Sequence, residues 1–347
     1  MTDRKIFSRR EIALLGANLG FATFAAGTLG FPIAARAQQA KVMLGHFSSA
    51  NQQNFARATG SMKKALGDNV DVNFISVTAG PQILTAMAGN SMDLCNIGSS
   101  AMIVGMAKGM PVTMVYMHKV VKDSECLVVR NDSGIKELKD LKGKKIGCPF
   151  NTSVHFALLS ALKTVGLTAS DVTLVNLRPD ALIPTWQRKE IDAAYIWYPV
   201  LGKIEEDGGT IIFKTGDLAA SGTLVFDGLL CRNEFKEKHP DLVLAYLKEI
   251  NRINTVYREQ PEQVADVMAP FLQIPRETVL MMARTTHTIS PKEMLTDAWM
   301  GMPGAKDTGI LKAIQVTADF LQSTGQLDSL PADFSKFVDS TFVAKMV

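Results

Sequence analysis

Two hydroxyl side chains stand where a buried strand gives way to a helix. Residues 139–155 read as a polar turn, a short apolar strand and a loop at Pro149, which has no N–H to donate to a sheet. Thr152 and Ser153 follow where a helix takes its N-cap, and apolar residues then recur at helical spacing as far as Gly166. Free backbone N–H groups and the positive end of the helix dipole meet there. The stretch therefore predicts a pocket for an anion.

The elements that must position this pocket alternate along the chain. Strands predicted at residues 41–47 and 92–98 are each followed by a polar loop and a helix, a pattern typical of an α/β fold with a mostly parallel sheet. Ligands bind beyond the carboxyl ends of the strands in such sheets. Ser48, Ser99 and Ser100 should therefore lie at one mouth, where the two later serines also cap a helix.

Two acids lie in or beside apolar strands. Asp227 interrupts the apolar run at residues 223–231, and an acid inside such a strand is costly unless it has a partner. A lysine, backbone donors or a ligand would each satisfy it. Glu125 precedes the apolar residues 126–129, where it is either a solvated strand-end acid or a ligand contact.

Aromatic residues and one histidine offer further contacts. Tyr195 and Trp197 alternate onto the same face of a predicted strand, so they either line a site or pack in the core. Trp186 is predicted to be a core residue. His155 is either a donor in the anion pocket or a histidine of the helix surface or core.

Catalysis finds little support in these residues. His155 and Ser153 stand two apart on a helix and so point in different directions, and no Gly-x-Ser-x-Gly elbow is present. Four cysteines lie in apolar settings without a CxxC spacing, which favours buried thiols over metal ligands, although an oxidising compartment would permit disulfides. We therefore predict no catalytic residues, no metal and no cofactor.

The first 37 residues read as an export signal. Arg9 and Arg10 precede a mildly apolar run that ends in the small-x-small pattern of residues 35–37. An N-terminal membrane helix is the alternative, but four glycines and Pro32 make the run a poor spanning segment. We expect a twin-arginine signal cleaved near Ala37 and a mature protein in the periplasm of a bacterium.

Charge excludes one class of partner. The leader holds five basic and two acidic residues, so removing it lowers the formal charge from +3 to zero. A neutral chain gives no electrostatic support to nucleic-acid binding. About 310 residues remain, enough for two lobes of ordinary domain size.

Seven stretches together resemble the substrate-binding subunit of a taurine or aliphatic-sulfonate ABC importer, a periplasmic binding protein of the type II-like class. The stretches are DLCNIGSS at 93–100, SECLVV at 124–129, DLKGKKI at 140–146, PFNTSVH at 149–155, LLSALK at 158–163, WQRKEIDAAYIW at 186–197 and EKHP at 237–240.

The resemblance implies two α/β lobes joined by two crossing segments, with the ligand in the cleft and closure about the hinge. After the leader, residues 38–128 would form the first part of lobe 1, residues 129–226 lobe 2, and residues 227–347 the rest of lobe 1 with a helical C-terminus. The protein would act as a monomer that passes its ligand to an inner-membrane permease with its ATPase, a role in sulfur assimilation.

A taurine-like ligand needs a cleft whose two ends differ in chemistry. A sulfonate accepts hydrogen bonds only, whereas an ammonium group needs acceptors, best a carboxylate in a dry site. Departures from the taurine pattern, among them Ala101 and Tyr198, leave other ligands open: another small anion, nitrate-like or carboxylate, or a pyrimidine thiamine precursor. A sensor without transport is also open. The predicted ligand contacts are Ser48, Ser99, Ser100, Glu125, Thr152, Ser153, His155, Tyr195, Trp197 and Asp227.

Overall fold

A computed structural model describes residues 40–347, so the predicted leader and its cleavage site lie outside the described part. Strands and helices alternate through the first two thirds, and helices dominate the rest. The strands are β1 Ala40–Phe47, β2 Val70–Val77, β3 Leu94–Gly98, β4 Val112–Val120, β5 Glu125–Arg130, β6 Lys145–Cys148, β7 Thr173–Asn176, β8 Ala193–Trp197, β9 Gly209–Lys214 and β10 Phe226–Arg232.

The α-helices flank these strands and continue beyond the last of them. They are α1 Gln52–Thr59, α2 Ser61–Leu66, α3 Gly80–Ala88, α4 Ser99–Ala107, α5 Ser153–Thr164, α6 Pro179–Gln187, α7 Val200–Glu206, α8 Asn233–Lys238, α9 Pro240–Glu259, α10 Pro261–Leu272, α11 Arg276–Arg284, α12 Pro291–Met294, α13 Gly309–Ser323 and α14 Thr341–Ala344.

Two five-stranded sheets share one layout. The first has the order β2-β1-β3-β10-β4 and the second β7-β6-β8-β5-β9. In each sheet one strand, β10 or β5, runs antiparallel to both of its neighbours, and the pairs formed by the first three strands are parallel. We call the first sheet with its helices the first lobe, and the second sheet with its helices the second lobe.

The chain crosses between the sheets twice. It leaves the first sheet after Val120 and returns to it at Phe226. The predicted first boundary, after Val128, falls inside β5, which pairs with β8 and β9 along its length. The first crossing is therefore a few residues earlier than predicted, because β5 belongs wholly to the second sheet. The division of the remaining residues into lobes stays a prediction.

The junction of β6 and α5 follows from local sequence. Gly147 must lack a side chain, because a Cβ atom there would lie 2.9 Å from side-chain atoms of both Ile191 and Leu182. Thr152 is the N-cap of α5, as predicted, but its hydroxyl donates to the Pro149 carbonyl oxygen at 2.6 Å instead of accepting from the helix. At the N-terminus of α4 the prediction was wrong: Gly98 is the N-cap and Ser99 is already helical.

Separate cores hold the two lobes. Helices α9, α10, α11 and α13 complete the apolar core of the first sheet, and two smaller clusters cover the faces of the second. Trp186 is buried there, as predicted. All four cysteines are free and buried, which confirms the prediction of unpaired thiols. None of the helices in residues 40–347 is both long and apolar enough to cross a membrane.

Candidate functional site

The ends of strands from both sheets surround a cleft. Its walls come from the loop after β1, the C-terminal ends of β3, β4 and β8, the beginnings of β5 and β10, and the segment around the end of α11. The residues that line it are Phe47, Ser49, Ala50, Asn51, Gln52, Gly80, Asn96, Gly98, Ala101, His118, Lys119, Ser124, Glu125, Thr152, Ser153, Trp197, Tyr198, Asp227, Met282, Thr285 and Thr286.

Four helices begin at this cleft. The N-cap Asn51 of α1, Gly80 of α3, the N-cap Gly98 of α4 and the N-cap Thr152 of α5 all lie in its wall. No side chain caps α4 or α5, so the first-turn N–H groups of these two helices remain available as donors, whereas the first turn of α3 holds Pro81 and a Gln82 N–H that donates to Ala79. Together these N-termini make one side of the cleft favourable for an anion.

Two carboxylates give the cleft a negative pole, which lies beside the N-termini of α4 and α5. Asp227 lies 3.5 Å from the ammonium nitrogen of Lys119. Glu125 Oε1 accepts a 2.8 Å hydrogen bond from the Ser153 hydroxyl, while its Oε2 is buried without a partner among the described residues. Burial, and then the charge of Asp227, raise the pKa of Glu125 to about 7. A ligand cation between the two acids would favour the ionised form of Glu125.

Strand pairing places both acids. Asp227 lies opposite Gly98 at the end of β3 and opposite Lys119 of β4, so it reaches the mouth of the first sheet. Glu125 lies opposite Trp197 at the end of β8, at the mouth of the second sheet. Each acid is thus held at the carboxyl end of a neighbouring strand, where ligands bind in α/β sheets.

The lobes touch at the floor of the cleft. A Cβ atom on Gly98 would lie 3.2 Å from Ser153 Oγ and 3.6 Å from Asp227 Oδ1, so β3 of the first lobe approaches α5 of the second closely. Across the mouth, the rings of Phe47 and Trp197 meet edge to face with centroids 6.5 Å apart. The described structure therefore has its lobes in contact around the site.

Five of the ten predicted contacts line the cleft. Glu125, Thr152, Ser153, Trp197 and Asp227 are brought together from four separate parts of the chain. Whether each touches a ligand stays a prediction.

The other five predicted residues do not line the cleft. Ser48 is exposed and its hydroxyl lies 3.3 Å from that of Ser76. Ser99 and Ser100 are buried in the first turn of α4, where their hydroxyls lack partners among the described residues.

His155 and Tyr195 lie away from the cleft for reasons of packing. The imidazole of His155 stacks on Phe150 with centroids 4.4 Å apart, and burial lowers its pKa to about 4. Tyr195 is fully buried in the second lobe, where its hydroxyl lies 3.0 Å from Thr215 Oγ1. Trp197 reaches the cleft because it ends the strand, whereas Tyr195 lies two residues further inside.

Several lining residues were not predicted. His118 and Lys119 form a polar pair within an otherwise apolar strand, and Asn96 is a polar residue in β3, so both positions carried a signal that could have been followed. Thr285 and Thr286 follow α11 in the helical C-terminal part, where nothing in the sequence marks them.

Two mixed sheets with a polar cleft between them define a two-lobed fold of the α/β class, as predicted. The chain belongs to the NMT1/THI5-like family, whose profile matches residues 67–264. It is 30% identical over 319 residues to the taurine-binding periplasmic protein of Escherichia coli K12. The alignment covers 90% of this chain and 95% of that protein. The resemblance read from the sequence motifs is confirmed.

Solved structures agree on the fold. The alkanesulfonate-binding protein SsuA from Xanthomonas axonopodis pv. citri, bound to MOPS, matches with a TM-score of 0.75 and 20% identity over 88% of this chain and all of that one. The desulfurization enzyme DSZB matches with a TM-score of 0.62 and 14% identity over 88% of this chain and 98% of that one. The same fold therefore serves both binding proteins and an enzyme.

Proposed function

We propose that this protein is the extracytoplasmic solute-binding subunit of an ABC importer, and that it holds taurine or a related aminosulfonate in the cleft and delivers it to a permease. One observation carries the proposal: helix N-termini and two acids face the same cleft. A ligand with a permanent anion at one end and an ammonium group at the other matches both poles.

The taurine-binding relative supports the choice of ligand. On this reading the backbone N–H groups in the N-terminal turns of α4 and α5 receive the sulfonate, because the hydroxyls of Thr152 and Ser153 already donate to Pro149 and Glu125. Asp227 and Glu125 receive the ammonium group, and Trp197 covers the carbon chain at the mouth. Lys119 is the counter-ion of Asp227.

Isothermal titration tests the ligand assignment. Taurine should bind with 1:1 stoichiometry, an amine-free sulfonate such as propanesulfonate more weakly, and sulfate with little heat. Heat from nitrate, carboxylates or a thiamine-precursor pyrimidine, with none from any sulfonate, would contradict the assignment. Uptake of labelled taurine into vesicles carrying the neighbouring permease and ATPase, dependent on this protein, tests delivery and separates a transport subunit from a sensor.

Binding without chemistry is part of the proposal. None of the residues that line the cleft in the described part is a cysteine, and the four thiols are buried in strands with raised pKa values. Ser153 donates to a carboxylate, not to a histidine that could activate it. Incubation with taurine and with aromatic sulfinates should return them unchanged, and release of sulfite would contradict this part.

We further propose export through a twin-arginine signal, with the periplasm as the working compartment. The periplasmic relative and the Arg9–Arg10 pair support it. Sequencing the N-terminus of the exported protein should find a start near Gln38. A mature chain that still begins before Arg9 would contradict it.

A further inference from the structure

Unsatisfied polar atoms concentrate at the cleft. Ten buried side-chain nitrogen or oxygen atoms in the described part of the chain lack a hydrogen-bond partner. Four of them belong to residues that line the cleft: Asn96 Oδ1, His118 Nδ1, Ser124 Oγ and Glu125 Oε2. Because buried polar atoms are nearly always paired, such a cluster indicates that a bound molecule completes their hydrogen bonds.

A strand irregularity brings His118 to the cleft. Along β10, Asp227 pairs with Lys119 and the next residue, Gly228, pairs with Met117. His118 is therefore the extra residue of a β-bulge, a feature that re-aims a side chain. Both His118 and Lys119 line the cleft, although neighbours in a regular strand point to opposite faces.

His118 is a neutral partner in a charged site. Its side chain is 1% exposed, and burial together with the charge of Lys119 lowers its pKa to about 3. A neutral imidazole has one donor and one acceptor nitrogen. With its proton on Nε2, the buried Nδ1 is an acceptor. Asn96, which is 5% exposed, offers a second uncharged acceptor in its Oδ1 atom.

We propose that His118 Nδ1 and Asn96 Oδ1 join the carboxylates of Asp227 and Glu125 as the acceptors of a primary ammonium group, so that the cleft selects ligands whose amine keeps all three N–H bonds. The inference rests on the proposed function and makes it narrower. Lys119 already occupies one side of Asp227, so that carboxylate cannot satisfy three N–H donors by itself. Uncharged acceptors add hydrogen bonds without adding to the repulsion between the acids.

N-methylated ligands test the selectivity. In titrations of the intact protein, taurine should bind about tenfold more tightly than N-methyltaurine, and N-methyltaurine more tightly than N,N-dimethyltaurine, because each methyl group removes one N–H donor to a charged hydrogen bond. Equal affinities within twofold would overturn the inference and leave the proposed function standing. If none of these amines and no sulfonate binds, both the inference and the proposed function are wrong.

Two variants assign the effect to His118. His118→Phe should weaken taurine about tenfold and propanesulfonate less than twofold, and His118→Gln, which keeps an acceptor, should recover part of the loss. Equal losses for both ligands would show a purely structural role and overturn the assignment.

A spectroscopic readout avoids any variant that fails to fold. In ¹⁵N imidazole spectra of the unaltered protein, His118 should show an unprotonated Nδ1 whose shift moves on addition of taurine and not on addition of propanesulfonate. A protonated Nδ1, or a shift that ignores taurine, would overturn the inference.

Discussion

The two crossing strands, β5 and β10, occupy equivalent places in their sheets and carry different chemistry. Each is the fourth strand in the order, each runs antiparallel to its neighbours, and each brings an acid near its first residue, Glu125 or Asp227. Asp227 pairs with a lysine of its own lobe, whereas Glu125 accepts a hydrogen bond from a serine hydroxyl and its other oxygen has no partner among the described residues. The sheet topology thus fixes the position of each acid, and the residues around it determine its hydrogen bonds and ion pairs.

This difference assigns unlike tasks to the two acids. Asp227 has a counter-ion in Lys119, so a ligand cation must share its carboxylate with that lysine. Glu125 is disfavoured as an anion by burial and by the nearby charge of Asp227. A cation that arrives between them relieves both effects, which couples ligand binding to ionisation of Glu125.

The largest effect is expected from the charged acid. Asp227→Ala removes a charge-assisted acceptor and leaves Lys119 unpaired, so taurine should bind at least about 100-fold more weakly, a loss on the order of 3 kcal/mol. Propanesulfonate, which has no amine, should lose much less. Titration of both ligands measures this. Equal losses would mean that Asp227 holds the cleft together and does not grip an ammonium group.

The residues of the site that could be predicted from the sequence are those that local patterns mark. Thr152, Ser153 and Asp227 could be predicted, because a strand end, an N-cap and an acid in an apolar run are local patterns. Asn96 and His118 are polar residues in apolar strands, but their exposure to the cleft depends on strand pairing and on a bulge, which no local pattern shows. The serines of α4 and His155 do not line the cleft, since a hydroxyl or imidazole near a helix start says little about the direction of its side chain.

The fold itself was predictable for a similar reason. Strand, loop and helix patterns repeat at close range and predicted the α/β class. The return of β10 into the first sheet, about a hundred residues after the chain leaves it, appears in no local pattern and came only from the resemblance of motifs.

The second effect concerns Glu125, which forms no salt bridge among the described residues. Its carboxyl keeps the proton up to about pH 7 in the folded protein, against an ordinary pKa of 4.5. Unfolding therefore releases a proton between these values, and the stability contributed by this group is fully present below about pH 4.5 and lost as the pH rises to about 7. Glu125→Gln should remove this loss, which is on the order of 3 kcal/mol.

Thermal or urea unfolding of the protein and of Glu125→Gln across pH 4 to 8 measures the difference. The free energy of unfolding of the variant should rise relative to that of the unaltered protein through that interval and stay higher above it. Parallel curves would show that the pKa of Glu125 is not raised and that the contrast between the crossing strands is wrong. With saturating taurine the gap should shrink, because the ligand cation stabilises the ionised carboxylate.

A smaller effect is expected where the lobes touch. Gly98→Ala places a methyl group 3.2 Å from Ser153 Oγ, so closure must give way by a few tenths of an ångström, and taurine affinity should fall about tenfold. Scattering should show a more open ligand-bound form. Gly89→Ala is the matched control, since its Cβ would meet nothing closer than 3.5 Å. Equal affinity in both variants would place the closure contact elsewhere.

The smallest effect separates the two histidines. His155 stacks on Phe150 behind the first turn of α5 and does not line the cleft, whereas His118 does. His155→Ala should therefore change taurine affinity by less than twofold while lowering the melting temperature, because it removes a buried imidazole that stacks on the half-buried ring of Phe150. A loss of affinity as large as that of His118→Phe would mean that the second lobe grips the sulfonate through this imidazole. The helix N-terminus would then be only its support.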